Sequence, residues 1–258
     1  MESKKNKHNI IINRNKHFNK ALIIVATGSY NDYTKSLIDS AKKNFPCYFY
    51  LFTDRPFDYE GTEDTTIIEI DHLGWPAMPL LRFQCLVEYF DFFKENYLFL
   101  IDAEAIINEP IEEDVLGYRV GTLHRNLSRF KEEYNYERRV ESTAYIPTEK
   151  GDNYYACGFV GGQKKEVKKL CEIISENIRI DINNGIRAIW GDESHLNKYF
   201  LDNRPSLVLP PSFMCPSQNK YFTKIIEHRQ KSFKKIDKKD LEGFLEVKKE
   251  DYNYKFRK

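Results

Sequence analysis

Asp192 and Glu193 are adjacent acidic residues that follow Trp190 and Gly191 and begin a helical pattern. Apolar side chains recur at i, i+3 and i+4 spacing through residues 196–200, which predicts one buried helix face. The acids would lie in the first turn, where unpaired N–H groups and the helix dipole favour negative charge. They are either an ordinary cap and first-turn acid or a pair of carboxylates that acts on a substrate.

A second acidic pair, Asp102 and Glu104, comes directly after the apolar run at residues 97–101. The run predicts a buried strand, and residues two apart share a face if the strand continues. Two carboxylates at the C-terminal end of a central strand can bind one hard divalent cation, and that cation can bridge a diphosphate. Asp-x-Glu also occurs by chance. The alternative interpretation is therefore that the two acids simply end a strand and bind no metal.

Arg82 and His124 are two further candidates for chemistry. Arg82 falls in the second turn of a helix that Pro79 is predicted to begin, and it is either a surface charge or a bidentate ligand of a diphosphate. His124 ends a predicted strand at residues 121–124 and is either a hydrogen-bonding surface residue or a catalytic one. The small and aromatic residues at 151–162 either leave room for a ligand or mark close strand packing.

The N-terminal third carries elements that would position these groups. Residues 21–26 are a continuous apolar run, a helical pattern follows, and residues 47–54 form a second strand. This order predicts a right-handed βαβ unit, whose ligands bind at the carboxyl ends of the strands. We therefore expect residues 25–30 at the mouth of a pocket, with a nucleotide base against Tyr30. The alternative is a simple strand-to-helix turn, since neither common phosphate-binding glycine loop occurs.

Composition bounds the class of protein. The 258 residues fit one large domain. The formal net charge of +1 is too small to create the positive electrostatic potential that is typical of nucleic-acid-binding proteins. Five cysteines without metal-type spacing predict free buried thiols in a reducing compartment. No run approaches the ~20 apolar residues of a membrane span, and residues 1–20 lack the apolar segment of a signal peptide. We expect a soluble, cytoplasmic protein whose basic ends can contact an acidic membrane surface.

Three segments carry a family resemblance, namely residues 136–147, 154–162 and 190–199. Together with the elements from Ile23 to Pro211, they resemble glycosyltransferase family six, the retaining family of the blood-group A and B transferases and the α1,3-galactosyltransferases. The resemblance implies a GT-A fold, a single-domain α/β structure with a Rossmann-like mixed sheet flanked by helices. It also implies transfer of N-acetylgalactosamine or galactose from a UDP-sugar to the 3-hydroxyl of a galactose-type, or fucosylated galactose-type, acceptor, with retention.

The resemblance assigns roles to the matched positions. The donor-binding residues are Val25, Ala26, Thr27, Tyr30, Arg82, Asp102, Ala103, Glu104, Ala156, Cys157, Gly158 and Asp192. The acceptor-binding residues are His124, Asn135, Trp190 and Glu193. Asp102 and Glu104 occupy the metal positions, which implies Mn²⁺. Glu193 matches the proposed nucleophile, and Asp192 and Arg82 complete the catalytic set.

The chain would comprise a basic lead at residues 1–20, the GT-A catalytic domain at 21–219 and a basic tail at 220–258. The tail is either solvated and mobile, or a lid whose Arg229 and Lys231 close over the donor phosphates. The membrane stems of the animal enzymes have no counterpart here, which suggests a bacterial or viral member.

Several positions depart from the family pattern and leave alternatives. Glu104 is one methylene longer than the usual Asp, and some bacterial relatives with Asn at both metal positions need no metal. Arg125 and Asn126 replace the usual Pro-Gly after the acceptor-site histidine. The small Ala156 and Gly158 favour N-acetylgalactosamine over galactose. Glu193 would bond transiently to the sugar or stabilise its positive charge during same-face attack. The competing functions are a UDP-sugar hydrolase and a non-catalytic glycan-binding protein of the same fold.

Overall fold

One mixed eight-stranded sheet organises the fold. The computed structural model describes residues 9–75, 77–124, 134–220 and 223–229. Its strands are β1 (Ile10–Asn13), β2 (Lys20–Ala26), β3 (Tyr48–Thr53), β4 (Thr65–Glu69), β5 (Tyr97–Ile101), β6 (Ala105–Ile107), β7 (Arg119–Leu123), β8 (Tyr155–Gln163), β9 (Leu207–Leu209), β10 (Cys215–Pro216) and β11 (Ile226–His228). Its helices are α1 (Asn31–Asn44), α2 (Ala77–Glu88), α3 (Lys164–Asn183) and α4 (Asp192–Asp202).

The strand order in the large sheet is β1-β4-β3-β2-β5-β8-β7-β9. Strands β4, β3, β2 and β5 are parallel neighbours, whereas β8 is antiparallel to both β5 and β7. The parallel pairing of β2 with β3 across α1 confirms the predicted βαβ arrangement. The mixed sheet with its flanking helices confirms the predicted single-domain α/β architecture of the GT-A type.

Two hydrophobic layers cover the sheet. Along β2, Ala21 and Ile23 belong to one layer, whereas Leu22 and Ile24 belong to the other. This alternation follows from the opposite directions of successive side chains in a strand. The first layer includes the apolar faces of α2, α3 and α4, and the second includes that of α1. The continuous apolar run at residues 21–26 is therefore needed because both of its faces are buried.

Some elements differ from the expected boundaries. Strand β1 lies within the predicted basic lead and pairs antiparallel with β4 at the sheet edge. Its four residues give too short a pattern to identify a strand, and their exposure alternates as expected for an edge. Helix α2 begins at Ala77, two residues before Pro79. The division into lead, domain and tail stays a prediction.

A small second sheet has the order β10-β11-β6. Strand β11 pairs antiparallel with β6, so the first part of the predicted tail is folded onto the domain. All five cysteines are buried and free, as predicted. Within the described ranges, no helix combines the length and the hydropathy that crossing a membrane requires.

Candidate active site

A cleft with a volume of about 280 Å³ opens where the carboxyl ends of β2 and β5 meet the N-terminus of α4. The predicted site residues that line it are Val25, Thr27, Tyr30, Arg82, Asp102, Ala103, Glu104, Cys157, Trp190, Asp192 and Glu193. Both acidic pairs and residues 25–30, where a nucleotide base is expected, therefore contribute to one cavity, although they are spread over about 170 residues of the chain.

Helix α4 presents its two acids to this cleft. It begins at Asp192, and the preceding Gly191 has φ +56°, a backbone conformation that residues with a side chain rarely adopt. The amide of Trp190 donates a 3.0 Å hydrogen bond to Oγ of Ser194, which ties the turn to the helix. Gly191 thus sets the angle at which the chain enters α4, and with it the direction of both carboxylates.

Arg82 bridges two of the cleft carboxylates. Its Nη1 donates to Oδ1 of Asp102 at 3.0 Å, and its Nη2 lies 2.6 Å from Oδ2 of Asp192. Burial alone would lower the pKa of Arg82, but Asp192, Cys157 and Asp102 raise it well above its ordinary value. Burial also raises the pKa of Asp192, and Arg82 opposes that shift. Arg82 is therefore a permanently charged cleft residue and not a surface charge.

Glu193 is held by two hydrogen bonds. Its Oε1 accepts from the Tyr154 hydroxyl at 2.8 Å, and its Oε2 accepts from the amide of Cys157 at 3.2 Å. Burial raises the pKa of Glu193 to about 7, although the bonds from Tyr154 and Cys157 act in the opposite direction. A carboxylate that is oriented by donors and ionises near neutral pH can act as a nucleophile or stabilise positive charge.

Asp102 and Glu104 lie on a tight turn, which corrects the expectation that they share one face of a continuing strand. Strand β5 ends at Ile101, the amide of Ala105 donates to the Asp102 carbonyl at 3.0 Å, and β6 begins at Ala105. The reversal brings the two carboxylates and the His228 imidazole together, with one ligand atom from each within 4.8 Å of the others. Carboxylate and imidazole are common ligands of divalent metals, so these donors fit a cation.

The expected nucleotide end is formed by the turn after β2. Val25, Thr27 and Tyr30 line the cleft, whereas Ala26 is fully buried and pairs with Thr53. His72 also lines this end, with its Nδ1 3.0 Å from Oγ1 of Thr27. Sequence reasoning missed His72 because it follows β4 in a segment without a recognisable motif.

The predicted donor-sorting triplet is split between two faces of β8. Cys157 lines the cleft, and burial raises the pKa of its thiol well above the ordinary value, so the thiol stays protonated at neutral pH. Among the described residues that line the cleft, Ala156 and Gly158 do not occur, since alternate residues of a strand point to opposite faces. Their donor-sorting role stays a prediction.

Two of the predicted acceptor residues lie close to Glu193. Trp190 lines the cleft with about half of its surface exposed, a position suited to packing on a sugar ring. The His124 amide donates to the Tyr154 carbonyl at 2.8 Å, and the two rings meet edge to face at 5.5 Å. His124 therefore contacts the residue that holds Glu193. Asn135 is exposed and is not among the described residues of the cleft lining.

Arg229 anchors the turn that carries Glu104. Its guanidinium donates to the carbonyl of Glu104 at 2.9 Å, to Oγ of Ser36 at 2.7 Å and to the carbonyl of Tyr33 at 3.0 Å. These bonds direct the side chain inward, and its expected contact with phosphate stays a prediction. Lys231 lies outside the described residues.

Glu137 is a positioning residue that sequence reasoning did not single out. Its Oε2 accepts from the amide of Ile189 at 2.8 Å and from Nη2 of Arg139 at 2.6 Å. Burial alone would raise the pKa of Glu137, but the bonds from Arg139 and Ile189 lower it to about 2. The ionised carboxylate therefore fixes the segment that leads into Trp190 and α4.

Comparison with known proteins places this geometry in a family. The model of glycosyltransferase family 6 matches residues 9–239. The rat (Rattus norvegicus) histo-blood group ABO system transferase 1 is 33% identical over 207 residues, which cover 75% of this chain and 60% of the relative. The human (Homo sapiens) globoside alpha-1,3-N-acetylgalactosaminyltransferase 1 is 29% identical over 205 residues, 74% of this chain and 59% of the relative.

A mouse (Mus musculus) N-acetyllactosaminide alpha-1,3-galactosyltransferase-like 1 is 37% identical over 165 residues, 63% of this chain and 48% of the relative. The chain spans about three-fifths of the length of the rat and human relatives. These three relatives are mammalian and lend no support to the bacterial or viral origin that was expected. With most of its length matched by the family model, and with both acidic pairs in one cleft, the chain belongs to glycosyltransferase family 6.

Proposed function

We propose that this protein transfers a hexose from a UDP-sugar to the 3-hydroxyl of a galactose-type acceptor, with retention of the anomeric configuration. The observation that carries the proposal is the joint presence in one cleft of Glu193, held by two donors, and of the Asp102–Arg82–Asp192 charge cluster. The first suits a sugar that becomes positively charged, and the second, with a divalent cation held at Asp102 and Glu104, suits a departing diphosphate.

The leaving group determines what the charge cluster has to do. Breaking the bond between sugar and phosphate leaves negative charge on UDP, and preorganised positive charge stabilises it. Arg82 supplies one permanent positive charge beside Asp102. Asp102 and Glu104 would hold Mn²⁺, which supplies a second positive charge to the diphosphate when it is bound.

Glu193 supports the other half of the reaction. An ionised carboxylate below the anomeric carbon either bonds to it transiently or stabilises its positive charge while the acceptor attacks from the same face. The bonds from Tyr154 and Cys157 hold the Glu193 carboxylate in the cleft without using an ion pair. Its charge therefore remains available to the sugar.

The donor and the acceptor are the finer part of the proposal. The name of the human relative contains N-acetylgalactosamine, and that of the mouse relative contains galactose. We favour N-acetylgalactosamine as the donor sugar, with galactose second. The exposed face of Trp190 beside Glu193 would receive the galactose-type acceptor.

Release of UDP tests the proposal against its two competitors. The purified protein is incubated with UDP-N-acetylgalactosamine or UDP-galactose, with and without a panel of galactosides, in Mn²⁺ or in EDTA. A transferase releases UDP faster when a suitable acceptor is present. Release that ignores every acceptor would indicate a hydrolase, and binding of galactoside without release would indicate a glycan-binding protein.

A further inference from the structure

His228 has no role in the charge cluster described so far, yet its imidazole lies beside the two carboxylates of Asp102 and Glu104. The imidazole lies about nine-tenths buried, and its Nε2 has no hydrogen-bond partner among the described residues. Its Nδ1 lies 3.9 Å from Oδ2 of Asp102. A buried polar nitrogen without a partner costs free energy unless a ligand satisfies it.

The backbone around His228 is fixed from three sides. Strand β11 places His228 opposite Ala105 of β6, directly after the turn that carries both carboxylates. The amide of Ser217 donates to the His228 carbonyl at 2.9 Å. Arg229 then donates from its side chain to the carbonyl of Glu104 at 2.9 Å. The imidazole and the two carboxylates are therefore held by one rigid unit.

Gly158 leaves the space that the imidazole occupies. A Cβ atom at this position would come within 2.6 Å of Cε1 of His228 and within 2.6 Å of Sδ and Cε of Met214. The carbonyl of Gly158 also accepts from the amide of Asp102 at 3.1 Å. A larger residue at 158 would therefore displace the His228 side chain. The backbone hydrogen bond between residue 158 and Asp102 would remain.

We propose that His228 is the third protein ligand of the divalent cation at Asp102 and Glu104, and that Gly158 is small because the imidazole needs its space. The inference rests on the proposed function only in the task that it gives the cation, which is to stabilise the departing diphosphate. One nitrogen with two oxygen donors suits Mn²⁺, whereas Mg²⁺ prefers oxygen alone. The separation of at most 4.8 Å between the ligand atoms, with Nδ1 of His228 3.9 Å from Oδ2 of Asp102, carries the assignment. The unpartnered Nε2 adds that no described residue holds the other ring nitrogen.

Binding of Mn²⁺ to the metal-stripped full chain tests the assignment without any turnover. Free Mn²⁺ is measured by its paramagnetic resonance signal, with and without UDP, for the wild type and His228→Gln. Loss of a ligand should weaken the apparent affinity on the order of tenfold or more, and should weaken Mn²⁺ binding more than Mg²⁺ binding. His17→Gln is the matched control, because His17 is exposed and belongs to no cluster of metal-binding groups in the described chain.

The double variant tests the role of Gly158. Gly158→Ala should weaken Mn²⁺ binding in the wild-type background and add little in the His228→Gln background, since both changes remove the same ligand. Additive losses would overturn the coupling between the two residues. Unfolding temperatures in EDTA identify variants that fail to fold.

A measurement on the unmodified protein keeps the assignment testable if the variants do not fold. Imidazole bound to Mn²⁺ gives a nitrogen coupling in pulsed resonance spectra, and we expect that coupling in the wild type. Bound Mn²⁺ without nitrogen coupling, or no binding with or without UDP, would overturn the proposal. Acceptor-dependent release of UDP by a protein that binds no cation would do so too, and would leave the proposed transfer intact.

Discussion

The Tyr154 hydroxyl donates a 2.8 Å hydrogen bond to Oε1 of Glu193. Tyr154 directly precedes β8, and Glu193 lies in the first turn of α4. This contact joins the predicted acceptor side, through His124, to the predicted nucleophile. It makes the ionisation of Glu193 the property on which the proposed chemistry depends.

The rate of transfer should follow the ionisation of Glu193. Burial raises its pKa to about 7, so the carboxylate is protonated in mild acid and charged in mild base. We expect transfer at saturating substrates to rise as the pH passes through about 7 and to level above it. A pH profile of UDP release with acceptor measures this, and a flat profile between pH 5 and 9 would contradict it.

The same shift has a consequence for stability. Because the pKa in the folded state lies above the value of 4.5 in the unfolded chain, the contribution of Glu193 is fully present below pH 4.5 and is lost as the pH rises through about 7. A shift of this size corresponds to about 3 kcal/mol. Denaturant unfolding in EDTA should show this decline in the wild type and not in Glu193→Gln.

Tyr154→Phe should raise the pKa of Glu193 further, since the lost bond favours the charged form. A hydrogen bond to a charged group contributes about 1.5–3 kcal/mol, so the midpoint of the pH profile should move up by about one unit or more. Activity lost at pH 7 should then return at higher pH. Tyr155→Phe is the matched control, because the Tyr155 hydroxyl accepts from Asn153, whereas the donors to the Glu193 carboxylate are Tyr154 and Cys157. Equal profiles for both variants would contradict the role of Tyr154.

Arg82→Met should destabilise the protein by about 3–5 kcal/mol, because it leaves Asp192 buried without its cation. Adding Asp192→Asn should recover much of that stability, since the more deeply buried of the two partners of Arg82 then carries no charge. Transfer should stay lost in both variants, because neither contains the positive charge that faces the diphosphate. Denaturant unfolding and UDP release measure the two effects. Recovery of activity together with stability would show that Arg82 is only structural.

Glu137→Gln should loosen the segment that precedes α4. The pKa of Glu137 is lowered to about 2, so its contribution to stability is present above pH 4.5 and is lost as the pH falls towards 2. We expect a loss of about 1–3 kcal/mol at neutral pH and a flatter acid limb in the unfolding curve. Glu141→Gln is the control, because Glu141 is exposed. Similar unfolding curves for the two variants would contradict the positioning role of Glu137.

Much of the fold follows from local patterns. The apolar run at β5 and the period of α4 are long enough to identify both elements and to place Asp102 and Glu193 at their ends. Strand β1 could not be found in this way, because it has four residues at the edge of the sheet. The turn at Asp102 could not be predicted either. The apolar strands β5 and β6 flank it so closely that the sequence pattern resembles one continuous strand.

The candidate site could be predicted where residue type and position coincide, and not where the fold alone brings groups together. His228 lies in a basic segment whose pattern indicates only a tail, and its closeness to Asp102 arises from the pairing of β11 with β6. From the sequence, Gly158 is interpreted as a small residue beside a sugar. In the structure, the space that a side chain at 158 would need is occupied by His228 and Met214.

The turnover of Glu193→Gln relative to the wild type tests the central claim most directly. The rate of acceptor-dependent UDP release is measured at saturating donor and acceptor near pH 8, and the affinity for UDP is measured alongside it. We expect the rate to fall at least about a hundredfold, as for the loss of one preorganised charge or donor, while UDP binds with nearly unchanged affinity. Turnover equal to that of the wild type would show that Glu193 takes no part in the reaction and would contradict the proposed active site.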